Sequence, residues 1–131
     1  MIFVDTCAWF ATTIPTDADY PLASRWFTRN RESLVTTDYI LDETMTLLKT
    51  RGQYSRALTL GAQLFSGEIA HIHYLAAGDI AAAWQIFQRY SDKEWSFTDC
   101  TSKVVMDRLG ITTAFTFDHH FRQFGGITVV P

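Results

Sequence analysis

The sequence contains few of the residues that build stapled, membrane-spanning or phosphate-cradling folds. Its 131 residues include only two cysteines, three prolines and seven glycines. Two cysteines cannot supply a disulfide framework, nor a zinc site without help from histidine. No apolar run approaches the roughly 18–20 residues needed to cross a bilayer, and Gly125-Gly126 is a turn signal with no GxxxxGK phosphate loop anywhere. These classes of protein are therefore excluded as interpretations.

A basic charge excess is also missing. Eleven Lys and Arg stand against fourteen Asp and Glu, which gives a formal net charge of −3. This balance argues against a nucleic-acid binder that works by bulk charge. It does not exclude a nuclease, because acids gathered in one pocket contribute much of the charge and a bound metal ion would offset it.

The start of the chain shows no basic region and no small-residue cleavage site. We therefore expect no signal peptide, a cytoplasmic location and no membrane contact. In that compartment Cys7 and Cys100 are expected to be reduced, although a disulfide between them stays open because both follow acidic positions that converge in the predicted fold.

The residues that are abundant favour one compact α/β domain spanning residues 1–131. Hydrophobic residues make up 47% of the chain and aromatic residues 15%, which is enough for a substantial core. Short apolar runs separated by helix-like segments predict a three-layer α/β/α fold with a central, mostly parallel sheet of four to five strands. The predicted strands cover residues 2–4, 34–36, 70–75, 113–117 and 127–130. Helices are predicted at 6–13, 19–31, 37–52, 55–65, 77–90 and 98–109, with a short turn at 119–124.

Four acidic residues lie where an apolar element stops or a helix begins. They are Asp5 after the first strand, Glu43 early in the third helix, Asp99 near the start of the sixth, and Asp118 after the fourth strand. Positions just past the ends of parallel strands converge on one crevice. Carboxylates gathered there repel one another unless they are protonated or bound to a cation. Since a hard divalent ion with oxygen ligands relieves that repulsion, the pattern predicts metal-dependent chemistry on phosphates.

Hydroxyl side chains accompany these acids. Thr6, Ser96, Thr98 and Thr116 are candidates for holding the carboxylates or a metal-bound water in place. Turn and cap chemistry explains the same residues, and Asp5, Asp99 and Asp118 taken singly could also be helix N-caps. The common location of the acids at the strand ends favours the site.

The histidines carry a weaker signal. His71 and His73 alternate along a predicted strand and share a face, a pattern that favours an ordinary surface strand over a metal pair. His119 and His120 directly follow Asp118. Either one could approach the crevice, and the sequence does not decide between them.

Several aromatic residues have two open interpretations. Tyr39, Tyr74 and Trp84 are expected in the core and not as platforms for stacking bases. Trp9 and Trp26 are explained equally well by burial in the monomer or by a dimer face.

Four blocks of sequence, in this order and spacing, carry a family resemblance over essentially the whole chain. The blocks are Phe3-Val4-Asp5-Thr6 with Ala8-Trp9, Asp42-Glu43-Thr44 with Leu47-Leu48 and Arg51-Gly52, Ser96-Phe97-Thr98-Asp99-Cys100, and Thr116-Phe117-Asp118 with Phe121 and Gly125-Gly126. Together they resemble the PIN-domain ribonucleases, particularly the VapC-like toxins of bacterial and archaeal toxin–antitoxin pairs.

The resemblance implies a site, a reaction and partners. Asp5, Glu43, Asp99 and Asp118 would bind Mg²⁺ or Mn²⁺, with Asp5 and Asp99 as direct ligands. Glu43 and Asp118 would bind through water or hold a second ion. Members of the family cleave single-stranded or loop regions of RNA with metal-activated water. They commonly form homodimers, and such toxins are silenced by an antitoxin whose tail enters the active site.

Other functions remain to be weighed against this one. A haloacid-dehalogenase-type phosphatase needs an acid where Cys7 stands, and a receiver domain needs an acidic pair that the sequence does not supply cleanly. The more serious alternatives are a non-catalytic PIN-like module that binds RNA or protein, and a housekeeping RNA-processing nuclease. The intact set of four acids disfavours the non-catalytic module, because a scaffold has no need to tolerate their repulsion.

Overall fold

The structure, a computed structural model, describes residues 1–131. Helices and strands alternate along most of the chain, as predicted. The elements are β1 (Ile2–Val4), α1 (Thr6–Thr13), α2 (Tyr20–Arg29), β2 (Leu34–Thr37), α3 (Asp38–Thr50), α4 (Tyr54–Phe65), β3 (His71–His73), α5 (Ala77–Arg89), α6 (Phe97–Leu109), β4 (Thr113–Phe115), a 3₁₀ helix (His119–Phe124) and β5 (Thr128–Val130). None of the helices combines the length and the apolar character that crossing a membrane requires.

The five strands form one parallel sheet in the order β3-β2-β1-β4-β5. Helices cover both faces, so the prediction of a three-layer α/β/α fold is confirmed. The central strand β1 pairs with β2 on one side and β4 on the other. The chain reverses its direction of winding at β1, and in open parallel sheets the crevice at such a switch point is the usual ligand site.

The central strands are apolar because both of their faces are covered. Phe3 and Val4 of β1 and Phe115 of β4 are fully buried. Burying each such side chain stabilises the fold by roughly 1.5–3 kcal/mol. Trp9 is also buried, and the half-buried ring of Trp26 packs with its centroid 4.1 Å from that of Phe115. Burial within the monomer therefore accounts for both tryptophans.

Two strands are shorter than the sequence predicts. β4 ends at Phe115, so Asp118 lies in a loop three residues beyond the strand and does not close it directly. β3 covers only His71–His73 because it is an edge strand paired with β2 alone. Beyond it, the Leu75 amide leaves the ladder and donates to Asp38 Oδ1 at 3.0 Å.

The expectation of core positions for Tyr74 and Trp84 is wrong. Both are more than half exposed. Helix α5 buries Asp79 and Ala83, which directs Trp84 and Phe87 outward, where their rings stack with centroids 6.1 Å apart. Tyr39 is half-buried, with its ring 6.4 Å from that of Phe97.

Both cysteines are free thiols, as expected. Cys100 is buried in the core, whereas Cys7 is half-buried beside Asp5. No disulfide joins them.

A buried carboxylate fixes the start of α5. Asp79 is only 3% exposed, and its Oδ2 accepts from the Ala76 amide at 2.9 Å. Its Oδ1 lies 2.6 Å from Arg108 Nη1, and His73 Nε2 lies 3.5 Å from Oδ2. The Ala76 hydrogen bond, helped by His73 and Arg108, lowers the pKa of Asp79 below its usual value. His73 thus pairs with a structural acid, which fits the surface-strand interpretation of the two strand histidines.

We expect Asp79→Ala to lower the free energy of unfolding by about 1–3 kcal/mol, because a buried amide loses its acceptor. A group whose pKa is lowered in the folded state stabilises above its unfolded pKa and loses that effect as the pH falls. Urea unfolding at pH 7 should therefore show the full deficit, and the deficit should shrink as the pH is lowered through 4. The matched control is Asp107→Ala, whose partner Lys103 forms an exposed ion pair worth about 0–1 kcal/mol. Equal losses in the two variants would contradict the assigned role of Asp79.

Candidate active site

Asp5 lies at the carboxyl end of β1 and is almost fully buried. It occupies the N-cap position of α1, yet its side chain forms no capping hydrogen bond. Instead, Oδ2 accepts from Thr116 Oγ1 at 3.1 Å and from Cys7 Sγ at 3.2 Å. Burial raises the pKa of Asp5 to about 7, against the effect of these hydrogen bonds, and the charge of Asp99 raises it further. The carboxylate is therefore held for something other than helix capping.

Cys7 supports this position. Burial raises the pKa of its thiol to about 12, so the sulfur keeps its proton at neutral pH and can donate it to Asp5. The Phe117 amide in turn donates to Sγ at 3.2 Å. The thiol thereby connects the loop after β1 with the loop after β4.

Asp99 enters the same region from the first turn of α6. Its amide donates to Ser96 Oγ, and its Oδ2 accepts from the Ser96 amide, each at 3.0 Å. This reciprocal capping box fixes both the helix start and the carboxylate. Burial raises the pKa of Asp99, and the charge of Asp118 adds to the effect. Its second oxygen, Oδ1, forms no hydrogen bond within the chain.

Asp118 completes a group of three carboxylates. Its Oδ1 accepts from the His120 amide at 2.9 Å and so caps the 3₁₀ helix. Its own amide donates to Thr116 Oγ1 at 2.9 Å. Since the same hydroxyl donates to Asp5, Thr116 ties the loop of Asp118 to the end of β1. Of the hydroxyl residues expected near the acids, Ser96 and Thr116 contact them directly.

Glu43 stands apart from the other three acids. It is exposed on α3 and forms no hydrogen bond or ion pair, where the sequence left an inward orientation open. It lines a shallow pocket together with Thr98, which connects α3 to the N-terminal turn of α6 that carries Asp99. Thr6, the remaining hydroxyl residue, is buried with an Oγ1 that has no hydrogen-bond partner.

His120 is the residue whose place the sequence left undecided. Its Nδ1 lies 3.2 Å from Asp99 Oδ2 and 3.3 Å from Asp118 Oδ1. His119 points outward, with 77% of its side chain exposed. Only the adjacency of both histidines to Asp118 signalled this candidate in the sequence, because a turn of 3₁₀ helix decides which of two neighbours faces inward.

The donors in this crevice suit a hard divalent ion. Asp99 Oδ1 and Asp118 Oδ2 form no hydrogen bonds within the chain, and the buried Thr6 hydroxyl has no partner. Asp5, Asp99 and Asp118 are close enough that each charge raises the pKa of a neighbour. Carboxylate and hydroxyl oxygens of this kind are what Mg²⁺ and Mn²⁺ bind, and a bound cation would relieve the repulsion. The residues present therefore fit such an ion.

Comparison with known proteins agrees with this architecture. The 23S rRNA-specific endonuclease VapC20 of Mycobacterium tuberculosis is 34% identical over 131 residues, which cover 100% of this chain and 99% of that protein. The crystal structure of M. tuberculosis VapC20, described as a sarcin-ricin loop cleaving toxin, superposes with a TM-score of 0.93 at 33% identity over 100% of both chains.

A more distant structure shares the fold alone. FitAcB from Neisseria gonorrhoeae superposes with a TM-score of 0.72 at 15% identity, over 100% of this chain and 97% of that one. The profile of the PIN domain matches residues 2–127, which is nearly the whole chain. With its parallel sheet, its acids at the switch point and this match, the chain belongs to the PIN domain family.

Proposed function

We propose that this chain is a metal-dependent endoribonuclease and the toxin of a toxin–antitoxin pair. The observation that carries the proposal is the meeting of Asp5, Asp99 and Asp118 in one crevice at the cost of mutual repulsion. A scaffold without chemistry gains nothing from that arrangement. The full-length similarity to an endonuclease that acts on 23S rRNA supports RNA as the substrate.

In this proposal Asp5 and Asp99 bind Mg²⁺ or Mn²⁺ directly, and Asp118 and Glu43 bind through water or hold a second ion. A bound ion lowers the pKa of water and so supplies a nucleophile near neutral pH. Thr116 and Cys7 hold the Asp5 carboxylate, while Ser96 holds that of Asp99. Thr6 and Thr98 are the remaining hydroxyls at the rim of the site.

Glu43 has a different task from the buried acids. It is exposed and unpaired on the open side of the crevice. A carboxylate there can orient water or an ion beside the incoming phosphate without perturbing the core. It adds negative charge where the substrate enters, which a bound cation has to offset.

The RNA backbone must approach a protein that carries a net charge of −3. Arg122 is exposed and lines a shallow pocket together with Asp118 and His119. We assign it the role of pairing with a backbone phosphate next to the scissile bond, since guanidinium binds phosphate through two parallel hydrogen bonds. The bound cation and this arginine together supply the local attraction that the overall charge does not.

The partners follow from the same proposal. Residues 1–131 act as one domain, pair with a second copy of the chain, and are held inactive by an antitoxin protein. The similarity to VapC20, which is described as a toxin, supports the antitoxin. Size-exclusion chromatography with light scattering measures the homodimer directly.

We expect cleavage of RNA only when the divalent ion is present. Purified protein is incubated with 23S rRNA and with a hairpin of its sarcin–ricin loop, in Mn²⁺, in Mg²⁺ and in EDTA, and the products are mapped by primer extension. Metal-dependent cuts at fixed positions are the expected result. Protein with Asp92→Asn, an exposed acid outside the crevice, is the control and should cut normally. Metal binding without any cleavage would favour a non-catalytic PIN-like module instead.

A further inference from the structure

His120 lies between two of the carboxylates that the proposed function assigns to the metal ion. Its Nδ1 is 3.2 Å from Asp99 Oδ2 and 3.3 Å from Asp118 Oδ1, and only 17% of its side chain is exposed. No other nitrogen from a side chain reaches the acids at such distances, apart from His119 Nδ1, which is 3.8 Å from Asp118 Oδ1 on an exposed side chain.

The local fold holds His120 in this position. The His120 amide donates to Asp118 Oδ1 at 2.9 Å, which closes the first turn of the 3₁₀ helix. The next residue, Phe121, is fully buried, with its ring centroid 6.1 Å from that of Phe3. With the cap on one side and the buried ring on the other, the imidazole has to face the crevice while His119 faces solvent.

A single hydrogen bond does not account for the geometry. An imidazole Nδ1 carries at most one proton, yet it lies almost equally close to two carboxylate oxygens. Adjacent ligands around an octahedral ion, each about 2.0–2.2 Å from it, lie about 3 Å from each other. The two N···O distances match that spacing, so the three atoms are arranged as neighbouring ligands of one ion.

We propose that His120 Nδ1 is a nitrogen ligand of the divalent ion, next to Asp99 and Asp118, and that it makes the site prefer Mn²⁺ to Mg²⁺. The inference rests on the metal site of the proposed function. Mg²⁺ is bound through oxygen atoms and keeps several of its waters. Imidazole nitrogen, by contrast, suits transition-metal ions. Replacing one oxygen ligand by nitrogen therefore favours Mn²⁺.

Binding of the metal ions alone tests the inference without RNA. Titration calorimetry with MnCl₂ and with MgCl₂ compares the full chain with His120→Gln and with His119→Gln. We expect His120→Gln to weaken Mn²⁺ binding about tenfold or more and Mg²⁺ binding by less than about threefold. His119→Gln, the matched control on the neighbouring exposed side chain, should change neither. Equal losses for both ions in His120→Gln would overturn the proposed selectivity.

Pulsed electron paramagnetic resonance of the Mn²⁺-loaded chain provides a direct readout of the ligand. A ¹⁴N coupling of a bound imidazole is expected in the unsubstituted protein and in His119→Gln, and its loss is expected in His120→Gln. If the unsubstituted protein binds Mn²⁺ without a ¹⁴N coupling, His120 only positions the carboxylates by hydrogen bonding and the inference fails. That spectrum needs no variant, so it decides the point even if His120→Gln is unstable.

The two levels of the proposal fail in different ways. Protein that cleaves RNA with an ion bound by oxygen alone keeps the proposed function and loses the nitrogen ligand. Protein that binds neither Mn²⁺ nor Mg²⁺ loses both. A ¹⁴N coupling in protein that cuts no RNA supports the ligand and contradicts the nuclease.

Discussion

Asp99→Asn is expected to lower the rate of RNA cleavage by about 10³-fold or more while the fold stays intact. That loss corresponds to about 4 kcal/mol of transition-state stabilisation. Asp99 enters the crevice with one oxygen held by the Ser96 amide and the other free for an ion. An amide in its place keeps an oxygen that accepts from Ser96, so α6 keeps its cap. It removes the negative charge that binds the cation.

The measurement is the single-turnover cleavage rate in Mn²⁺, with circular dichroism and thermal unfolding as checks on the fold. Asp107→Asn is the matched control, because Asp107 lies on the same helix and faces solvent beside Lys103. It should cut at the normal rate. A folded Asp99→Asn protein that remains fully active would remove Asp99 from the metal site and would leave the proposed chemistry without its best-placed ligand.

Asp5→Asn is expected to raise the stability of the metal-free protein at pH 8 by as much as about 4 kcal/mol. Burial raises the pKa of Asp5 from its usual value near 3.8 to about 7, and a tenfold change in proton affinity corresponds to about 1.36 kcal/mol. The asparagine oxygen still accepts from Thr116 and Cys7. The substitution therefore removes a buried charge while it keeps the hydrogen bonds.

The pH dependence follows from the raised pKa of Asp5. The folded state holds the Asp5 proton more tightly than the unfolded state does, so this group stabilises the fold fully only below about pH 4. The stabilisation is lost as the pH rises towards 7. The raised pKa of Asp99 acts in the same direction, whereas Asp79, with its lowered pKa, acts only in the acid range. Between pH 5 and pH 8, unsubstituted protein in EDTA should become less stable, and Asp5→Asn protein should lose less.

Urea unfolding in EDTA at pH 5 and at pH 8 checks this expectation. Asp92→Asn serves as the control, because Asp92 is exposed beside Lys93 and should show no gain at either pH. Saturating Mn²⁺ should reduce or reverse the advantage, since an ion that binds only the folded state stabilises it by mass action. A variant that is no more stable than unsubstituted protein at pH 8 would mean that Asp5 is not a destabilising charge in the metal-free state.

Most of the fold could be predicted from the sequence because its signals are local. The apolar runs at Ile2–Val4 and Leu34–Thr37 become buried strands, and Thr37 caps α3 by accepting from the Ile40 amide at 3.1 Å. Gly110 takes the left-handed conformation that ends α6, with φ of 66°. Strand lengths were harder to predict, since β3 and β4 end where a neighbouring strand stops pairing. That depends on contacts that are distant in the sequence.

The exposure of aromatic residues was the weakest part of the prediction. Composition and apolar character placed Trp84 and Tyr74 in the core, yet both face solvent. Helical periodicity around Trp84 is ambiguous, because the alanines of α5 can form the buried face without it. Which face a helix buries is decided by what packs against it, and here α6 packs against α5.

The sequence by itself determined the kind of chemistry: four acids at strand ends and helix starts, in an order typical of PIN domains, with hydroxyl residues beside them. Only the tertiary structure decided how they divide. Burial and long-range hydrogen bonds from Thr116 and Cys7 bring Asp5, Asp99 and Asp118 together, and they leave Glu43 exposed. The 3₁₀ turn anchored by Phe121 selects His120 over His119. Local patterns specify elements and residue types, whereas burial, pKa and ligand geometry arise from contacts between segments far apart in the chain.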